Sequence, residues 1–263
     1  MEKKILYLLT CVGLCWSSCT NEVDEFIGNV EPSTRSVSTA LNANLASLFT
    51  GGAPTLTSAE IKEVNDAYAK MTSINCYRNI DEAVRNKTSY AGTIFLDDTY
   101  ASAYFRKGSL AFPPYGILAS SMEHEFIHMY QRDVQGKKVD TDKEKRDTGM
   151  MEFELAFYQG IIRYIHAGYS WTFKGEDGDP SYQSLWTSGL TDPSLIPQYE
   201  REFQTYVASI CANGKPTSID INEFVKWSNI FGEYSRGYSG KGYKFGNYDY
   251  GTSCINSLLK LYY

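Results

Sequence analysis

The chain has 263 residues with 25 basic and 31 acidic side chains, a net charge of −6 with histidine neutral. That balance, with no concentrated basic stripe, excludes a nucleic-acid partner held by phosphate contacts. Hydrophobic residues make up 43% of the chain and aromatic residues 14%, which excludes a disordered polymer and supplies bulk for a real core.

Residues 1–18 read as a signal segment. Lys3 and Lys4 form a basic start, residues 5–14 are apolar, and Ser17 and Ser18 precede Cys19. The segment is too short and too poorly flanked for a stable membrane span. The small residues before Cys19 resemble the lipobox of bacterial lipoproteins, although Trp16 stands where such sites usually carry leucine. The resemblance implies cleavage after residue 18 and a lipid anchor at Cys19. It also implies a place on the outer membrane, on the periplasmic side or at the cell surface; ordinary secretion is the alternative. The acidic run Asn21-Glu22-Val23-Asp24-Glu25 is similar to the surface-export tags of some Gram-negative lipoproteins, or is simply a solvated tether. Residues 19–55, rich in Ser, Thr, Asn and Gly, read as a linker with a short helix around 37–49.

One domain is expected over 56–263. Thr57-Ser58-Ala59-Glu60 has the pattern of a capping box and predicts a helix over 57–71. Strand-like runs follow at Thr93-Ile94-Phe95-Leu96, Ala103-Tyr104-Phe105 and Ser109-Leu110-Ala111-Phe112, the last stopped by Pro113-Pro114. One helix is expected over 116–133 and a strongly apolar one over 150–166. Further helices are expected over 195–212, from Asp220 onward, and at the C-terminus, with a Tyr- and Gly-rich stretch over 232–251. The fold class is α+β, with a small sheet ahead of the 116–133 helix and mostly helix after it. Beyond Cys19 the cysteines are Cys76, Cys211 and Cys254, an odd number that leaves the pairing open. The oligomeric state is read as monomeric by default.

Chemistry concentrates in His124-Glu125-Phe126-Ile127-His128, which uses two of only three histidines. Residues at i and i+4 share a helix face, so both imidazoles can reach one metal ion without breaking the helix. Glu125 is then placed to take a proton from an attacking water. A catalytic zinc commonly takes a third protein ligand. Glu152 and Glu154 lie on the next predicted helix, about 200° apart around its axis, so only one can point inward. Glu154 shares its face with Tyr158, Ile161 and Ile165, which reads as buried. Glu152 shares its face with Ala156, Gln159 and Arg163, which reads as solvated. A buried carboxylate needs a partner, so Glu154 is the expected ligand and Glu152 the alternative. Gln131 and Asp133 are positioned to orient a ligand imidazole through its second nitrogen, or are ordinary polar residues of a helix surface. His166, twelve residues past Glu154, is about 18 Å away along a helix and too far to share the ion.

With His124, Glu125, His128 and Glu154, the region 90–166 resembles the gluzincin group of HExxH zinc metallopeptidases. The resemblance implies a zincin-like fold, one catalytic Zn2+ held by His124, His128 and Glu154, Glu125 as the proton acceptor, and a peptide or protein substrate. The third histidine of the metzincin extension is missing, and Tyr158 occupies the place where the group often has an acidic residue. Two rival readings stand beside this one. The first is a non-catalytic surface lipoprotein binding glycan or peptide through its aromatic C-terminal region. The second is a zinc hydrolase acting on another amide.

Overall fold

The capping box forms as the sequence predicts. Thr57 donates its backbone N–H to Glu60 Oε2 (2.6 Å), and its hydroxyl accepts the N–H of Glu60 (3.3 Å). Those bonds open α2 (Ser58–Ser73), which follows a short α1 (Ala43–Leu48). The computed structural model describes residues 40–137, 145–166, 192–211, 216, 218–234 and 253–262. The expected signal segment with Cys19, the acidic run after it, the linker up to residue 39, and Tyr238, Tyr243, Tyr248 and Tyr250 lie outside these residues.

Two compact units divide the chain, the first within Asn21–Val139 with Ser257–Tyr263 and the second within Asp140–Asn256. In the first, α2 buries Val64, Ala67, Tyr68 and Met71, the i, i+3, i+4, i+7 stripe of an amphipathic helix. A single residue, Ile74, separates it from α3 (Asn75–Lys87), which buries Cys76, Tyr77, Ile80, Asp81 and Val84. Sequence reading passed over α3, although its apolar residues recur at helical spacing. Packing also begins ahead of Thr57, within the stretch read as linker. Leu45, Leu48 and Phe49 are buried, Phe49 bridges Tyr90, and Leu48 O accepts the N–H of Tyr90 (2.7 Å).

Three short strands follow where the alternating runs predict them: β1 (Ile94–Leu96), β2 (Tyr104–Arg106) and β3 (Ser109–Phe112). Their order is β1-β3-β2, with β1 parallel to β3 and β2 antiparallel to it. Lys107 and Gly108 both take positive φ (51° and 78°), the two-residue hairpin turn whose twist matches paired strands. Next comes α4 (Ala119–Met129), which continues into a π-helical turn at Tyr130–Val134. It packs on α2, α3 and β2, with Phe126 against Tyr68 at a ring separation of 6.2 Å. At the C-terminal end of this unit, Asn79 donates to Leu261 O (2.6 Å).

The second unit is helical among its described residues. It contains α5 (Lys145–His166), α6 (Ile196–Ile210) after a 3-10 turn at Pro193–Leu195, and α7 (Ile221–Tyr234). An aromatic cluster joins them: Phe153 meets Phe224 and Phe231 at 5.2 and 5.6 Å, and Phe157 meets Phe203 at 5.3 Å. Such ring pairs add stability beyond the area they bury. Ile219 N–H donates to Asn256 Oδ1 (2.8 Å) in α8 (Ser253–Lys260), the last helix. Cys76 and Cys211 are buried and outside any disulfide. The molecule is thus mixed α+β and mostly helical, with one small three-stranded sheet among the described residues. No described helix is long and apolar enough to cross a membrane.

Two stability predictions arise. A Cβ on Gly92 would run into the Gly108 carbonyl and the Ser109 hydroxyl, where backbone approaches backbone. Gly92→Ala should therefore cost about 1–3 kcal/mol in denaturant unfolding. Asp81 behaves differently. Burial holds its carboxyl above the ordinary range, outweighing the hydrogen bonds from the Tyr68 hydroxyl (2.8 Å) and Arg85 (3.0 Å). Because its folded pKa is raised, the stability it contributes is full below about pH 4 and is lost as pH rises through the folded value. Wild type should lose stability relative to Asp81→Asn between pH 4 and 7, measured by unfolding at each pH.

Candidate metal centre

Helix α4 presents two faces with different duties. Met122, Phe126 and Met129 are fully buried at i, i+4 and i+7 and fix the helix in the core. His124 and His128 are half-buried on a second face, and their Nε2 atoms approach to 3.1 Å. Two nitrogens bound to one tetrahedral zinc at about 2.0–2.1 Å are about 3.3 Å apart. The imidazoles therefore already converge on the separation a shared ion requires. Glu125, only 4% exposed, sets its Oε1 4.0 Å from His124 Nε2. Its carboxylate lies beside the ligand nitrogens, and in that buried position its charge is weakly screened.

One ligand atom from each of His124, His128 and Glu152 lies within 4.8 Å of the other two, so the three could hold a metal ion. Glu154, the expected third ligand, is not in this group and is fully buried. Along α5, Ala156 and Gln159, expected with Glu152 on a solvated stripe, are each 1% exposed, and Phe153 through Ile162 are buried without interruption. A helix enclosed on all sides has no wet face to mark the outward direction. Half-buried Glu152 is where that enclosure opens. Two histidines and one carboxylate form a donor set that suits zinc and leaves a coordination position for water. His166 ends α5, and its side chain lies outside the described residues.

Around the pair, the π turn supplies a second layer. Gln131 is fully buried, and its Oε1 lies 2.9 Å from His128 Nδ1. A partner on the second ring nitrogen is what a metal-binding histidine ordinarily needs. Asp133, the other residue weighed for that role, turns elsewhere. Its carboxylate accepts from Arg132 Nε (2.9 Å) and Nη2 (2.6 Å) and from the Tyr90 hydroxyl. Burial and the neighbouring Asp133 carboxylate push the Tyr90 phenol well above its ordinary range, so it stays a hydrogen donor. The Arg132 guanidinium also lies over the Phe105 ring at 4.3 Å, which ties the π turn to β2. The i, i+3 spacing of His128 and Gln131 was visible in the sequence. The engagement of Asp133 by Tyr90, 43 residues away, was not.

The arrangement gives a test of the third carboxylate. Glu152→Ala should weaken divalent-metal binding about 10-fold or more while leaving thermal unfolding of the metal-free chain nearly unchanged. Glu154→Ala should instead lower the unfolding temperature, because it empties a buried polar position. Chelator competition and thermal unfolding separate the two outcomes. No protein-family model, curated protein sequence or solved structure matches the chain.

Proposed function

We propose that the chain is a zinc-dependent metallopeptidase of zincin-like, gluzincin-like type, lipid-anchored at Cys19 on the outer membrane, acting on a peptide or protein substrate. The single observation that carries the reading is the 3.1 Å convergence of the His124 and His128 Nε2 atoms beside the buried carboxylate of Glu125. His124, His128 and Glu152 are the residues that would hold the ion. Zinc in such a place acts as a Lewis acid, making a water acidic enough to lose a proton near neutral pH and polarising a carbonyl.

The rest falls to the chain. Glu125 accepts the proton of the attacking water and returns it to the departing amine, the two halves of general acid–base catalysis. Its burial limits the carboxylate's exchange with solvent, and buried Phe126 and Ile127 fix the helix that carries it. The net negative charge argues against nucleic acid as the substrate. The membrane contact in this reading comes from the lipid alone.

Zinc stoichiometry of the purified chain tests the reading first, with His128→Ala as the control. One zinc per chain, lost in the variant, is expected; no zinc in the wild type after reconstitution would sink the reading. Glu125→Gln should then retain zinc and lower cleavage of a diverse peptide library by about 100-fold or more. Zinc without cleavage of any library member would move the assignment to a hydrolase of another amide.

A further inference from the structure

We infer that Gln131 is a positioning residue for His128. Its side-chain oxygen takes the Nδ1 hydrogen of the ring and leaves the Nε2 lone pair aimed at His124. The inference rests on the metal reading above for its purpose, but the ring geometry it describes belongs to the metal-free chain as well.

A carboxamide oxygen can only accept, so the His128 Nδ1 that faces Gln131 Oε1 at 2.9 Å must carry the hydrogen. A neutral imidazole has one such hydrogen, so His128 Nε2 is left as an acceptor. That atom lies 3.1 Å from His124 Nε2. His128 is therefore already in the form a metal ligand needs.

Placement explains why Gln131 holds this role. It is fully buried in the π turn, a local widening that recurs at functional sites. That turn is anchored by Asp133 to Tyr90 and by Arg132 over Phe105. An orienting group on so fixed a segment holds the ring more closely than one on a loop would. Being neutral, the amide orients the ring without placing a second buried negative charge near Glu125.

Nitrogen–proton correlation spectra of the histidine-labelled full chain, recorded metal-free at pH 8, provide the test. The expected result is His128 with its hydrogen on Nδ1, unchanged by added zinc. Gln131→Met keeps the volume but loses the acceptor. It should scramble the His128 tautomer and weaken zinc in chelator competition about 10- to 100-fold. Gln131→Glu, which restores an acceptor oxygen, should recover the Nδ1 form. Should Gln131→Met fail to fold, the wild-type spectrum still decides. A His128 hydrogen on Nε2 in the metal-free wild type would overturn the inference, as would unchanged tautomer and zinc affinity in folded Gln131→Met. A wild type that shows the expected His128 tautomer yet takes no zinc upholds the role of Gln131 and removes the peptidase reading instead.

Discussion

Two imidazoles held 3.1 Å apart impose a demand on everything behind them. Side chains one helical turn apart swing through several ångströms if the helix rolls, so convergence survives only where the opposite face is locked. Here the lock is Met122, Phe126 and Met129, fully buried, with Phe126 against Tyr68 of α2. The capping box that starts α2, the one-residue joint to α3 and the short sheet all serve to keep that floor in place. The site is a surface consequence of a rigid interior, and its geometry is only as good as the packing beneath α4.

The π turn adds a second constraint of a different kind. An α-helix that continued regularly past Met129 would point successive residues 100° apart around one axis. The wider turn changes that progression just where Gln131 meets His128 and Asp133 meets Tyr90. Gln131 is fully buried there, and a buried polar group costs more left unpaired than its hydrogen bond returns when made.

What the sequence made legible was local. The HExxH pentapeptide, the Thr57–Glu60 box and the runs ending at Pro113 are short-range patterns whose physics is complete within a few residues. The failures came where a neighbour distant in sequence decides. Helix α3 carries Arg78, Asp81, Glu82 and Arg85 among its apolar residues, and its stripe becomes plain only once α2 and α4 are known to cover it. Leu48 and Phe49 lie in the stretch read as linker, and nothing nearby announces Tyr90 as their partner. The stripe of Ala156 and Gln159 reads as wet in the sequence, yet both are closed in on α5, where Phe153 and Phe157 join the aromatic cluster.

The buried cysteines carry a consequence for how the molecule can be watched. Cys76 lies in the first compact unit and Cys211 in the second, and burial pushes the Cys211 thiol up to about 11. A thiol so seldom ionised resists alkylation as long as it stays enclosed. With the other cysteines replaced by serine, each unit would hold one chemical clock that runs only while its own interior is open. The labelling rates at the two positions would then report the breathing of each unit separately.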